Sequence, residues 1–196
     1  MSNSTSMLQR FGVKLFLEPS STVSAQTCIR TFHRWIQTNA IDGLPIDVAD
    51  YSHLVEGPHV LLVTHQGNYA VDVAENRSGL IYTQKQPRKE PLMERLMWTC
   101  SSVVNAGCLL EQDSTFDPRL IFRGNEIQFV ANDRLLAPNT IETAKAVEPI
   151  LDDLANQLFG GEEYEIVSKL ESPDRFTANL IAKSFSSLST LRERMA

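Results

Sequence analysis

The chain has 196 residues, of which 42% are hydrophobic and 21% charged, and it carries a net charge of −6. These totals are typical of a globular chain that buries a real core. The acidic balance and the lack of a Lys/Arg cluster argue against a nucleic-acid surface, and no apolar run approaches the ~20 residues that span a bilayer.

One globular domain is predicted for residues 11–196, preceded by a polar, flexible segment over residues 1–10. That segment lacks the basic and apolar blocks of a signal peptide. No Cys-x-x-Cys spacing is present, and the three cysteines lie within apolar patterns: Cys28, Cys100 and Cys108. Sparse thiols of this kind fit reduced, buried cysteines, so the sequence predicts a soluble cytoplasmic protein.

The first elements are predicted to be a strand, a helix and a second, short strand. Residues 13–17 form the first strand, which ends before Pro19. Ser24 has the side chain of an N-cap for a helix that extends to about Thr38. Residues 46–50 form the second strand. The helix carries an apolar stripe at helical spacing, made of Ala25, Cys28, Ile29, Phe32, Trp35 and Ile36.

The central stretch, residues 59–85, predicts a meander of three antiparallel strands. Residues 59–66 are mostly β-branched or leucine, which suits a pleated, buried surface. Gly67 stands first in a two-residue loop, as in a type II′ turn, and residues 76–79 close a second hairpin. The pairs that these turns predict are His65 with Ala70, Val63 with Asp72, Leu61 with Ala74, Val73 with Tyr82 and Asp72 with Thr83.

Side chains alternate along these strands, and both resulting faces hold apolar residues. We therefore expect some element to cover each face. One face is predicted to hold Val60, Leu62, Thr64, Tyr69, Val71, Val73, Leu80 and Tyr82, and the other Leu61, Val63, His65, Ala70, Asp72, Ala74, Ile81, Thr83 and Lys85.

A long helix and a second hairpin are predicted next. Residues 91–106 have a wide apolar face, Pro91 suits the first turn of a helix, and Gly107 ends it. Residues 119–130 predict a hairpin that turns at Gly124-Asn125.

The last third of the chain is predicted to hold two helices and two strands. A helix follows the capping residue Asn139 and is kinked or split by Pro149. Residues 164–170 form a strand. Ser172-Pro173 either caps a helix or turns a hairpin, so residues 173–185 are left open between helix and strand. The imperfect alternation of residues 176–183 favours a strand, and a short helix over 187–194 ends the chain.

Consecutive hairpins dominate this order of elements, and no glycine-rich turn links a strand to a helix. The order predicts an α+β fold in which three to four helices pack on a mixed, mostly antiparallel sheet built from hairpins and a meander.

His65 and Asp72 are the candidates for chemistry. In the predicted register they are diagonal neighbours on one face, ~7–8 Å apart at the backbone. A carboxylate beside a histidine orients the ring and raises its pKa, as general-base catalysis requires. Tyr69, Thr83 and Lys85 are the accompanying candidates for binding a ligand. The simpler interpretation, which we favour, is a surface ion pair between Asp72 and Lys85.

Two further clusters also favour structural interpretations. The acidic, histidine-containing stretch over residues 47–59 lacks both the spacing of a zinc motif and the glycine of a calcium loop, so it is predicted to be a solvated connection. In the first helix His33 and Arg34 precede Trp35, which is predicted to be core with His33 at its rim.

Two functional hypotheses follow. No phosphate or metal motif and no placed nucleophile is present, so the sequence predicts no metal and no cofactor. The leading hypothesis is a non-catalytic binding or assembly protein that contacts a second copy, a partner protein or a small molecule through a strand edge or the meander. The alternative is a small hydrolase or isomerase that uses His65 and Asp72. A concave pocket at His65 would favour the enzyme, and a flat apolar patch would favour the assembly protein.

Overall fold

The structure is a computed structural model that describes residues 8–170 and 174–195. Residues 1–7 of the predicted flexible segment, and Ser172-Pro173, lie outside the described residues, whereas Leu8 is buried. The strands are β1 (Phe11–Leu17), β2 (Pro45–Asp50), β3 (Pro58–Thr64), β4 (Gly67–Asp72), β5 (Gly79–Gln84), β6 (Phe122–Ala131), β7 (Tyr164–Lys169) and β8 (Thr177–Ala182). The helices are α1 (Ala25–Thr38), α2 (Leu92–Gln112), α3 (Ile141–Phe159) and α4 (Leu188–Arg194), with a 3₁₀ turn at Ala74–Asn76.

The eight strands form a single sheet in the order β2-β3-β4-β5-β1-β6-β8-β7, and every neighbouring pair is antiparallel. The first strand of the chain therefore lies near the centre of the sheet, between β5 and β6. The predicted α+β class and the meander of β3, β4 and β5 are confirmed.

The helices pack on one face of the sheet. Trp98 of α2 packs against Tyr82 of β5 with 5.4 Å between ring centroids, and Phe159 of α3 packs against Tyr164 of β7 at 6.1 Å. α1 lies against β2 and β3 and α4 against β6. The strand residues buried beneath the helices are Val13, Leu15, Leu17, Val60, Leu62, Tyr69, Val71, Leu80, Tyr82, Ile127, Phe129, Ala178, Leu180 and Ala182.

The opposite face of the sheet, which we call the free face, is not covered by any helix within residues 8–170 and 174–195. No helix provides the cover that was predicted for this face in this part of the chain. The apolar residues of the free face are instead shielded locally by long side chains: the guanidinium of Arg77 lies 3.6 Å from the ring centroid of Phe16. Residues of the free face include Gly12, Lys14, Phe16, Leu61, Val63, Asn68, Ala70, Asp72, Ile81, Thr83, Glu126, Gln128, Val130, Thr177 and Asn179.

The prediction that Gly107 ends the second helix is wrong, because α2 continues to Gln112. A Cβ atom at Gly107 would lie 2.7 Å from Leu188 Cδ1 and 3.2 Å from Leu15 Cδ1. The glycine is therefore placed there by close packing of α2 on α4 and β1, and not by the end of the helix.

The predicted hairpin at Gly124-Asn125 is also wrong, because β6 is one continuous strand. Its pairing with β1 contains an irregularity: Leu15 pairs with Ile127, whereas Leu17 pairs with Phe122. A Cβ atom at Gly124 would lie 2.1 Å from the backbone oxygen of Ser186, so only glycine fits this close approach. A close backbone contact and a turn require the same residue type, and the local sequence does not distinguish them.

Most helix boundaries agree with the predictions. The hydroxyl of Ser24 accepts a hydrogen bond from the amide of Thr27 and caps α1. The predicted cap Asn139 is wrong by one residue, because Thr140 caps α3, and the helix continues through Pro149 without the predicted split. Residues 176–183 contain β8, so the preference for a strand there is confirmed. Across the described residues, no helix combines the length and the apolar character that a membrane crossing requires.

Leu96 provides a test of this packing. Its side chain is fully buried in α2, so Leu96→Ala should lower the free energy of unfolding by about 2–5 kcal/mol. Leu135→Ala is the matched control, because Leu135 is 95% exposed, and it should change the free energy of unfolding by no more than about 0.5 kcal/mol. Urea denaturation measures both, and equal effects of the two substitutions would contradict the assigned core.

Candidate functional site

The structure does not bring His65 and Asp72 together. Leu61 pairs with Ala70 and Leu62 with Tyr69, so the reversal between β3 and β4 lies at His65-Gln66, and the predicted register is wrong. His65 is exposed in this turn, whereas Asp72 lies at the far end of β4, roughly 17 Å along the strand at ~3.4 Å per residue.

The hydroxyl of Thr64 explains the position of the turn. It donates a hydrogen bond to the carbonyl oxygen of Gly67 at 2.7 Å and accepts one from the amide of Gly67 at 3.1 Å. Gly67 is therefore the first residue of β4 and not a turn residue. A Cβ atom there would lie 2.3 Å from the hydroxyl oxygen of Tyr82, so the glycine accommodates the tyrosine.

The second hairpin of the meander is displaced in the same way. Asn68, and not Asp72, pairs with Thr83, and Asp72 pairs with Gly79. The predicted ion pair between Asp72 and Lys85 does not form: the ammonium of Lys85 donates to the carbonyl oxygen of Thr64 at 2.7 Å.

Tyr69 lies on the helix-covered face, away from the other candidates. Its ring is 1% exposed and packs edge-on against Tyr82 with 4.6 Å between centroids. Burial raises the pKa of the Tyr69 hydroxyl, so the group stays neutral. In this position it contributes to the core and does not face the free face.

Asp72 binds Lys14 near the middle of the free face. The ammonium of Lys14 donates to Asp72 Oδ2 at 2.5 Å, and the two side chains are only 3% and 12% exposed. Lys14 reaches across β5 to make this contact. It passes over Gly79, where a Cβ atom would lie 3.0 Å from Lys14 Cε and 2.1 Å from the carbonyl oxygen of Leu15. Gly79 thus makes room for the ion pair.

Burial lowers the pKa of the Lys14 ammonium, while the attraction of Asp72 opposes that effect. The two charges stabilise each other within a poorly solvated part of the sheet, where a charge without its partner is costly. The ion pair thus links β1 to β4 across the free face. The amine is too enclosed to meet a substrate without losing its carboxylate.

A second charged cluster lies on the free face, near the C-terminal end of β1 and in the N-terminal half of β6. Glu126 is 4% exposed, accepts a hydrogen bond from Arg77 at 2.6 Å and forms an ion pair with Arg123 at 3.0 Å. Because Arg77 also covers Phe16, the cluster closes that end of the free face. The open part of the face therefore lies on the other side of Lys14.

Two adjoining clefts occupy that open part. The first, of about 300 Å³, lies between Lys14, Gln128 and the ends of β7 and β8. The second, of about 480 Å³, lies over β3, β4 and β5, and we call it the end cleft. Asp72, Ile81 and Arg175 line both. The residues that line the end cleft are Arg10, Pro58, Leu61, Asn68, Ala70, Asp72, Ile81, Thr83, Gln84, Lys85, Asn132 and Arg175.

The end cleft contains three of the residues singled out from the sequence, namely Asp72, Thr83 and Lys85. It also contains Arg10 and Arg175, which sequence reasoning missed. No local motif marks these two arginines, since they come from opposite ends of the chain and meet only through the strand order.

The other sequence clusters have structural roles in the described residues. Trp35 is 4% exposed, as predicted for a core residue, and the nearby Arg34 pairs with Asp113. Asp50 accepts a hydrogen bond from the amide of Ser52 within the acidic stretch. Within residues 8–170 and 174–195, no group of three or more His, Cys, Asp or Glu side chains is arranged to hold a metal ion.

The cysteines are free and buried in the described chain. Burial raises the pKa of the Cys28 and Cys100 thiols to about 12. At this pKa the reactive thiolate is scarce at neutral pH, so these two cysteines behave as small apolar residues.

No family model, curated protein or solved structure matches the chain.

The Lys14–Asp72 pair gives a testable prediction. Asp72→Ala leaves the Lys14 ammonium without its partner and should lower the free energy of unfolding by about 3–5 kcal/mol. The double variant Lys14→Met/Asp72→Leu removes both charges and should recover most of that loss.

Glu163→Ala is the control, because the ion pair of Glu163 with Lys183 is 74% and 70% exposed at its two side chains. Its loss should leave urea denaturation close to that of the unmodified protein. If the double variant were as unstable as Asp72→Ala, mutual compensation of the two charges would not be what holds this part of the sheet.

Proposed function

We propose that the chain is a non-catalytic binding protein whose ligand lies on the free face of the sheet, in the end cleft. The observation that carries the proposal is the one-sided arrangement of the helices. It leaves a face of the sheet accessible where Leu61, Ala70 and Ile81 form the apolar floor of a cleft of about 480 Å³. Clefts of this size, with an apolar floor and a few polar groups, are typical of small-molecule sites.

The geometry gives less support to the alternative of a small enzyme. That hypothesis required His65 within reach of Asp72, whereas the two lie at opposite ends of β4, and Asp72 already binds Lys14. Neither cleft on the free face is lined by His65. The residues proposed to contact the ligand are instead Thr83 and Lys85.

Assembly through a strand edge also has less support. β2 is an edge strand, but the amide of Val48 donates to the carboxylate of its neighbour Asp47 at 2.8 Å. This local contact occupies a donor that a strand added at the edge would need. Ile46 is 57% exposed beside it, and a homo-oligomer formed at this edge would pack a second copy against Ile46.

The proposed location is the cytoplasm. Three unpaired, buried thiols support a reducing compartment, as the cysteine pattern indicated. The net charge of −6 supports a partner other than nucleic acid.

Filling the end cleft tests the proposal. Thr83→Trp puts a large ring on the free face at a strand position that tolerates aromatic residues, and it should abolish the binding of small apolar fragments detected by ligand-observed NMR. Val167→Trp is the matched control, because Val167 lies on the edge strand β7, is 47% exposed and lines neither cleft on the free face.

Circular dichroism would establish that both variants remain folded. Fragments that bind Thr83→Trp as well as they bind the unmodified protein would place the binding elsewhere and contradict the proposal. A library with no fragment that binds the unmodified protein would count against it too.

A further inference from the structure

Four residues from distant segments form one row at the rim of the end cleft. Gly12 pairs with both Thr83 and Val130, and Val130 pairs with Thr177. Continuing these pairings by two residues aligns Lys85, Arg10, Asn132 and Arg175 side by side on the free face.

Hydrogen bonds support this continuation of the sheet. The amide of Asn132 donates to the carbonyl oxygen of Arg10 at 2.9 Å, and the amide of Lys85 donates to that of Gln66 at 3.0 Å. The guanidinium of Arg175 donates to Asn132 Oδ1 at 2.5 Å. Neighbouring strands are ~4.8 Å apart, so at the backbone Arg10 lies roughly 5 Å from Lys85 and roughly 10 Å from Arg175, between the two.

Among residues 8–170 and 174–195, none of the three cations of this row forms an ion pair. Lys85 and Arg175 bind neutral oxygens, of Thr64 and Asn132 respectively. Arg10 forms no ion pair with any residue in the described part of the chain. Like charges on neighbouring strands repel, and because all three side chains are exposed, solvent screens part of that repulsion and leaves them accessible to an anion.

The carboxylate closest to this row in the end cleft does not serve as that anion. Asp72 is the acidic residue among the lining residues, and Lys14 already neutralises it. Glu56 and Asp174 line the adjoining cleft. The row is therefore a local concentration of positive charge on a protein whose net charge is −6.

An apolar floor and an unsatisfied acceptor lie next to the cations. Leu61, Ala70 and Ile81 pair with one another and line the cleft as a single row, two same-face positions further along the strands. Asn68 Oδ1 is buried and accepts no hydrogen bond from the described residues. A buried acceptor without a donor is costly. An ionised carboxylate only accepts hydrogen bonds, so a donor for Asn68 Oδ1 would have to come from another part of a ligand.

We propose that the end cleft binds a small amphipathic carboxylate. Its anionic group contacts Arg10, with Lys85 on one side and Arg175 on the other, and its apolar body lies on Leu61 and Ile81. This inference rests on the proposed binding function and adds the chemistry of the ligand to it. A small anion fits this row better than a polyanion. At 0.1 M salt charges beyond about 10 Å are screened, so a small anion interacts mainly with the row, whereas an extended polyanion would also contact the acidic remainder of the surface.

Isothermal titration calorimetry with decanoate and with decanol tests the proposal, because the two probes share an apolar chain and differ in charge. Decanoate should bind the unmodified protein at least about tenfold more tightly than decanol, a ratio within reach of one charge-assisted hydrogen bond. The double variant Lys85→Gln/Arg175→Gln should weaken decanoate binding by at least about tenfold and weaken decanol binding much less, because decanol carries no charge.

Lys145→Gln/Arg119→Gln is the matched control, because it removes the same two charge types at exposed positions outside the clefts of the free face. It should bind both probes as the unmodified protein does. Binding of decanoate should also weaken as salt is raised.

The outcomes separate this inference from the proposed function. Equal affinity for the two probes, or no effect of the double variant on decanoate, would overturn the anionic ligand, and so would an absence of decanoate binding. If decanol binds and Thr83→Trp abolishes its binding, the cleft still binds an apolar ligand and the proposed function stands. Decanoate binding that Thr83→Trp does not alter would overturn both.

Discussion

The pairing of β1 with β5 on one side and β6 on the other is the constraint on which the rest of the structure depends. The first strand of the chain joins the meander to the C-terminal strands, and all seven of its residues are buried. Its alternation sends Val13 and Leu15 beneath the helices and Lys14 and Phe16 to the free face. A single strand thus supplies both the centre of the core and the cation that anchors the open side.

A sheet face without helices requires another way to shield its apolar residues, and this protein uses long charged side chains. Arg77 covers Phe16 and binds Glu126, while Lys14 extends across β5 to Asp72. The apolar stems of these side chains pack on the sheet while their charges pair with one another. Where the shielding stops, beyond Lys14, the end cleft begins. The cleft is the part of the free face that the protein does not cover with its own side chains.

The sequence predicted the faces of the meander better than its pairs. Leu61 was expected opposite Ala74 and lies opposite Ala70, a shift of four residues. Side chains repeat every two residues along a strand, so an even shift leaves each one on its predicted face. Burial therefore follows the prediction for Val60, Leu62 and Tyr69, while the contact between His65 and Asp72 is lost. The hydroxyl of Thr64 decides the register, and a threonine at the end of a strand gives no such signal in isolation.

Glycine was the residue most often misinterpreted, and for a common reason. Gly67, Gly107 and Gly124 were assigned to turns or helix ends, yet each lies where a Cβ atom would collide with a side chain or backbone of another element. A glycine in the sequence shows that a side chain is absent at that position, but it does not show which distant element packs there. The candidate site is subject to the same limit. Lys85, Arg10 and Arg175 become neighbours only because the register is continuous across β5, β1, β6 and β8. The order of the strands in the sheet makes these residues neighbours. Hydrophobic periodicity correctly identified the strands, but it does not depend on strand order and so could not predict this contact.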